Sequence, residues 1–161
     1  MLTLLTATGA RPQAWALCER MMRLQDWDGA VRWVIVDDGA HPQPLTFRRP
    51  GWTLEVIRPQ PYWRPGMNTQ ARNLAAGLAE IGDTERVVVI EDDDAYAPGY
   101  LRAVASWLAD APLVGESHAR YYHVARRVWR DCGNHAHASL CSTAVRDEGL
   151  AALRDHAAHR Q

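Results

Sequence analysis

Lysine is absent from this chain. All 18 residues counted as Lys+Arg among its 161 are arginine, set against 19 acidic residues for a formal net charge of -1. That absence excludes a Walker A phosphate loop, the strand lysine of a protein kinase and any Schiff-base or pyridoxal chemistry, because each needs a lysine amine. The near-zero net charge argues against a general polyanion binder. Cysteine is scarce too: Cys18, Cys132 and Cys141 form an odd, sparse set, which predicts a reducing compartment rather than a disulfide framework. No opening stretch has the form of a secretory signal, and no apolar run approaches the ~20 residues that cross a bilayer. The expectation is a cytoplasmic protein with no membrane span.

Repeats and low-complexity linkers are also lacking. With 161 residues and 47% hydrophobic content, one domain with its own core is expected over 1–161, changing character near residue 112. In the first part, short apolar runs at 2–8, 31–36, 53–57 and 87–90 predict strands. Between them lie segments of helical period: one opened by Pro12 with Ala14, Leu17, Met21 and Leu24 on a face, one capped by Asn68 with Ala71, Leu74, Ala75 and Leu78, and one opened by Pro98 with Leu101, Val104, Ala105 and Leu108. Unbroken Val/Ile runs suit strands covered on both faces, so the fold class is α/β with a mostly parallel central sheet flanked by helices. Beyond residue 112, strands are expected at 113–116, 121–129 and 140–145, and a closing helix that Asp147 caps. This part holds six of the seven histidines and seven arginines against five acidic residues, and reads as the partner-binding part.

Ligands of open α/β sheets bind beyond the carboxyl ends of the strands, and both acidic clusters fall there. Glu91 to Asp94 follow the run Val87 to Ile90. Four adjacent carboxylates raise one another's pKa, and a hard cation, Mn²⁺ or Mg²⁺, relieves the repulsion. Strand alternation sends Glu91 and Asp93 one way and Asp92 and Asp94 the other. Asp37 and Asp38, with Gly39 freeing the turn, form a second pair suited to anchoring a ribose or base. Arg72 and Asn73 lie near the amino end of a helix, where a guanidinium fork suits a phosphate or a base carbonyl. Trp63, in the loop 59–66, is placed to stack on a sugar or base, whereas Trp33 and Trp107 are expected to serve core or helix packing. Cys132, His135, His137 and Cys141 offer four zinc-type ligands, although their spacing is unlike the usual finger or ribbon patterns.

The segments TLLTATGAR (3–11), WVIVDDG (33–39), GMNTQARN (66–73) and VVIEDDD (88–94), the last followed by Pro98, resemble in this order the landmarks of GT-A-fold glycosyltransferases of the family-two type. The resemblance covers roughly residues 2 to 110. It implies a nucleotide-sugar donor, UDP-sugar favoured, and an inverting transfer to an acceptor hydroxyl. Residues 1–112 become the donor-binding part and 113–161 a short acceptor-binding part. By similarity Ala7, Thr8 and Arg11 line the nucleotide, Asp38 contacts the base with Asp37 beside it, and Arg72 supports base or phosphate. The acidic run supplies the metal motif, with Glu91 and Asp93 matching its spacing to Pro98 and Asp92 with Asp94 as the alternative frame. The resemblance also implies a late histidine, His137 or His135, that completes the metal site or touches the pyrophosphate.

The family's glutamate-aspartate base motif has no clean match, which leaves Glu116 and Asp131 as first candidates for the base. Trp63, Arg126 and Arg127 are candidates for the acceptor side. The arginines of the last third suit an anionic acceptor, and a compact phage-type enzyme acting on hydroxymethylated DNA bases, in a bacterial or phage-infected cytoplasm, fits that economy. A sugar nucleotidyltransferase, which depends on lysines at its phosphates, and a non-catalytic nucleotide-sugar-binding module are the competing readings.

Overall fold

The computed structural model describes residues 1–123, 125–133 and 136–159. In chain order its elements are β1 (Leu2–Thr8), α1 (Pro12–Arg23), β2 (Val31–Asp37), β3 (Trp52–Ile57), α2 (Gln70–Ala79), β4 (Val87–Val89), α3 (Tyr100–Asp110), β5 (Leu113–Gly115), β6 (His118–His123), β7 (Val128–Gly133), a 3-10 turn (Leu140–Ser142), β8 (Thr143–Val145) and α4 (Asp147–His159). The central sheet has the order β3-β2-β1-β4-β8-β5. Its first four strands are parallel and only β8 runs against its neighbours. This is the expected mostly parallel sheet flanked by helices.

Period-two alternation in the apolar runs builds two cores, one on each face. Leu4, Trp33, Ile35 and Val88 point to the side covered by α1 and α3, where Trp15, Phe47, Leu101 and Val104 meet them. Trp33 lies at the centre of that core, 5.2 Å from the rings of both Trp15 and Phe47, and its indole N–H donates to the Thr6 hydroxyl at 3.0 Å. Leu5, Val34, Val36, Val87 and Val89 face the other way, against Leu74 and Leu78 of α2 and Leu150 and Leu153 of α4. Gly77 lets α2 lie close to the sheet: a Cβ there would come within 2.3 Å of Leu5.

Several local expectations need correction. Residues 121–129 are not one extended segment, because residues 125–127 turn and β6 pairs antiparallel with β7, Tyr122 opposite Trp129. The run 140–145 divides into the 3-10 turn and the three-residue β8. Helix α2 starts at Gln70, and Asn68 caps from one position further out, its side-chain oxygen accepting the Gln70 N–H at 3.3 Å. Helix α3 starts two residues after Pro98. At α4 the N–H groups of Gly149 and Leu150 donate to the carbonyl of Arg146 rather than to Asp147, which sits at a φ of 47° and pairs with Arg146. Of the two tryptophans expected in core or helix packing, Trp33 is fully buried and Trp107 lies on α3, partly exposed. Beyond residue 112, β5, β8 and α4 complete the sheet and one core, and only the β6–β7 hairpin forms a separate two-stranded sheet.

Candidate functional site

Because β1, β2, β3 and β4 are parallel, their carboxyl ends share one edge, and the loops leaving that edge enclose a cavity of about 500 Å³. The loop 7–11 after β1 forms its floor with Val89 and Ile90, the start of α2 closes one side, and Asp38, Trp63, Glu91 and Asp93 bring polar and aromatic groups to it. Gly9 makes the first two loops compatible, since a Cβ at that position would lie 2.1 Å from the Asp38 carboxylate. The register places Thr8 beside Asp37, which fixes where β1 and β2 release their loops.

The acidic run separates only in part as alternation predicts: β4 ends at Val89, and in the turn that follows Asp94 comes beside Glu91 instead of joining Asp92. Glu91 and Asp93 line the cavity. Asp92 is wholly buried beneath it, accepting the Thr8 hydroxyl at 2.6 Å and pairing with Arg11. Burial pushes the Asp92 carboxyl above its ordinary range, against the Thr8 hydroxyl and the Arg11 charge that favour its ionised form. Arg11 bridges to Asp93 at 3.0 Å, so one guanidinium spans both carboxylates. Glu91 is likewise pushed up, first by burial and then by Asp94 and Asp93, while the Gln70 amide donates to it at 2.8 Å.

Asp94 lies next to Glu91, on the side of Cys141. Among the described residues, Glu91, Asp94 and Cys141 bring their ligand atoms within 4.8 Å of one another. The Cys141 thiol is pushed up to about 12 by burial and by Asp94 beside it. His137 is exposed in the loop before the 3-10 turn and is not in this group, and Cys132 and Cys141 are free thiols. His135 lies outside the described residues.

The second acidic pair divides its work. Asp37 accepts the backbone N–H groups of Gly39 at 3.0 Å and Gln43 at 2.8 Å, and pairs with Arg58 at 2.7 Å. It therefore braces the loop from behind, while Asp38 faces the cavity. Arg72 does not open onto the cavity: its guanidinium donates to Asp38 at 2.9 Å, to the Pro61 carbonyl at 2.8 Å and to the Asn73 side chain. Trp63 is tied in by its own N–H to the Asp38 carbonyl at 2.7 Å and by its indole to the Met67 carbonyl at 3.1 Å, which places it on the cavity wall next to Asp38.

Neither candidate base lines the cavity. Glu116 is exposed just past β5, on the same edge of the sheet, its N–H donating to the Ser142 carbonyl at 3.3 Å. Asp131 is on β7, 3.8 Å from Arg120. Arg126 and Arg127 are exposed in the hairpin turn.

Two residues that the sequence reading did not single out hold the acidic loop. Gln70 lies inside a quoted motif but carries no titratable signal. Tyr96 follows the acidic run by two residues, and its hydroxyl accepts the Glu91 N–H at 2.9 Å and donates to the Cys141 carbonyl at 3.0 Å. Among the described residues no helix is long and apolar enough to cross a membrane.

No family model and no curated protein matches the sequence. Among solved structures the chain is similar to S. aureus TarS, a glycosyltransferase, with a TM-score of 0.52 at 16% identity, over 68% of this chain but only 20% of the TarS chain. At that identity the likeness is one of fold: the chain has a glycosyltransferase-like α/β fold.

Proposed function

We propose that the chain is a glycosyltransferase that takes a nucleotide-diphosphate sugar, a UDP-sugar foremost, into the carboxyl-edge cavity and transfers the sugar to an acceptor hydroxyl with inversion. The observation that carries this reading is the grouping of Asp38, Trp63, Glu91 and Asp93 in the lining of a single cavity of about 500 Å³. A base and ribose fit the Asp38 and Trp63 side, and the diphosphate fits between the 7–11 loop and the acidic run. Likeness of fold to TarS supports the reaction class.

The donor set fits a hard divalent cation, because two carboxylates opening onto a cavity can be completed by diphosphate oxygens. Glu91 and Asp93 would hold Mn²⁺ or Mg²⁺; when bound, such an ion neutralises charge developing on the departing diphosphate. Arg11 neutralises Asp92 and Asp93 and lies on the loop that would meet the diphosphate. Thr8 keeps Asp92 oriented beneath both. Of the two candidate bases, Glu116 is favoured over Asp131 by its place on the carboxyl edge of the sheet.

Thermal shift with UDP, in the presence and absence of Mn²⁺, tests the site. UDP is expected to stabilise the protein, more so with Mn²⁺, and Asp93→Ala should remove the metal-dependent part. A variant that responds like the wild type overturns the assignment. A second reading, a nucleotide-sugar-binding module without turnover, is favoured by one observation, that neither Glu116 nor Asp131 lines the cavity. Release of free sugar from UDP-sugars in Mn²⁺ supports the enzyme, and binding without any release supports the module.

A further inference from the structure

The β6–β7 hairpin is an unusual surface for a chain of net charge -1. Trp129 is 64% exposed, Tyr122 58% and Tyr121 55%. Cross-strand pairing puts Tyr122 directly opposite Trp129 and Arg120 opposite Asp131, so all four share one face, with the Arg120 guanidinium 5.6 Å from the Trp129 ring. Arg130 lies beside Tyr121 on the other face, and Arg126 and Arg127 form the tip. Four arginines thus stand against one carboxylate, and Asp131 is already engaged by Arg120. Among the described residues the side chains of Arg126, Arg127 and Arg130 make no ion pair, whereas Arg11, Arg58 and Arg72 near the cavity are held by carboxylates.

Position adds to composition. Strand β5 is parallel to β4, so the hairpin departs from the carboxyl edge where the cavity opens. Its return limb is fastened there: the Cys141 carbonyl accepts from Tyr96, whose hydroxyl also holds the Glu91 N–H. The Tyr121 hydroxyl reaches Ser139 on that limb at 3.0 Å.

We infer that this hairpin binds a single-stranded nucleic-acid segment at the lip of the cavity, stacking bases on Tyr122 and Trp129 and meeting phosphates with Arg120, Arg126, Arg127 and Arg130. Exposed aromatic faces interleaved with guanidinium groups match unpaired bases on a phosphate backbone. A neutral glycan would call for carboxylates and amides to take its hydroxyls, and residues 118–133 contain one aspartate and no asparagine or glutamine. A lipid surface would call for large aliphatic side chains, and residues 118–133 contain two valines and no leucine, isoleucine or methionine. The segment's role as sugar acceptor rests on the transferase reading; its binding does not.

Fluorescence anisotropy with a fluorescein-labelled 20-nucleotide DNA strand tests the inference, with the matching duplex, heparin and phosphatidylglycerol vesicles as competitors. Four phosphate contacts on a single strand predict a loss of affinity of about fifty-fold between 50 and 200 mM salt. Trp129→Ile keeps a strand-forming side chain but removes the π-face, and should weaken binding about tenfold with the same salt slope. Arg126→Gln, in the exposed turn, should lower that slope by about 0.7. The inference is overturned by no binding at 50 mM salt, by a Trp129→Ile variant that binds like the wild type, or by preference for duplex, heparin or vesicles. UDP binding is measured on the same wild-type sample. UDP binding without strand binding refutes the hairpin surface alone, and strand binding without UDP binding refutes the donor cavity alone.

Discussion

Tyr96 and Tyr100 lie 5.0 Å apart by ring centroids, both buried in the same core, yet the same substitution is expected to act on them with opposite sign. The Tyr96 hydroxyl accepts the Glu91 N–H and donates to the Cys141 carbonyl. Tyr96→Phe leaves both backbone groups without that partner. An orphaned buried group costs about 1–3 kcal/mol, and because Glu91 and Cys141 are only half-buried the lower end applies, about 2 kcal/mol for the two. In a domain of this size that corresponds to a fall of about 4–8 °C in Tm. The Tyr100 hydroxyl is buried and has no hydrogen-bond partner among the described residues. Tyr100→Phe removes an unsatisfied polar atom and leaves the packing unchanged, so Tm should hold or rise by up to about 4 °C. Circular dichroism melts of the two variants beside the wild type decide it. Equal falls for both, or a Tyr96→Phe melt that coincides with the wild type, would refute the account of how the acidic loop is held.

Glu91→Gln should raise the Tm of the ligand-free protein at pH 7. Burial and the neighbouring Asp94 and Asp93 hold the Glu91 carboxyl above its ordinary value of 4.5. The native chain therefore binds this proton more tightly than the unfolded chain, and stability falls as pH rises from about 4.5 through the raised value. The advantage of the amide should shrink as pH is lowered toward 4.5, and melts that coincide at pH 7 would contradict the assignment. Arg72→Lys should weaken UDP binding about tenfold by calorimetry, because one ammonium cannot replace a fork bonded to Asp38, the Pro61 carbonyl and Asn73 together. Unchanged affinity would show that Asp38 needs no such brace.

The sheet was legible in the sequence because its signal is redundant. Runs such as 33–36 and 87–90 are buried on both faces, so every residue repeats the message. The cavity was legible for a related reason: Asp38, Glu91 and Asp93 follow those strands directly, and the strand ends dictate their place. Tyr96 and Gln70 were not legible, because their roles depend on hydroxyl and amide partners brought from other loops. The hairpin was missed as a hairpin because residues 121–129 contain neither glycine nor proline. Its turn instead uses Arg127 at a φ of 52°, a conformation that nothing in an arginine announces.

The missing lysine acquires a structural counterpart in how the arginines are used. Arg58 joins the Asp37 carboxylate to the Gly39 carbonyl, Arg72 joins Asp38 to the Pro61 carbonyl, and Arg32 joins Glu55 to Glu85. Arg49 donates to the carbonyls of Gln25 and Trp27 at the end of α1. Each is a fork holding two acceptors at once, a geometry that a compact ammonium does not reproduce. At the cavity, Arg58 and Arg72 thus brace the loop that carries Asp38 by planar, multi-donor contacts. On the hairpin the same side chain occurs without such acceptors: Arg126, Arg127 and Arg130 brace nothing among the described residues. What sets these three apart from Arg20, Arg64 and Arg86, whose side chains also make no ion pair among the described residues, is the pair of exposed rings, Tyr122 and Trp129, on the same hairpin.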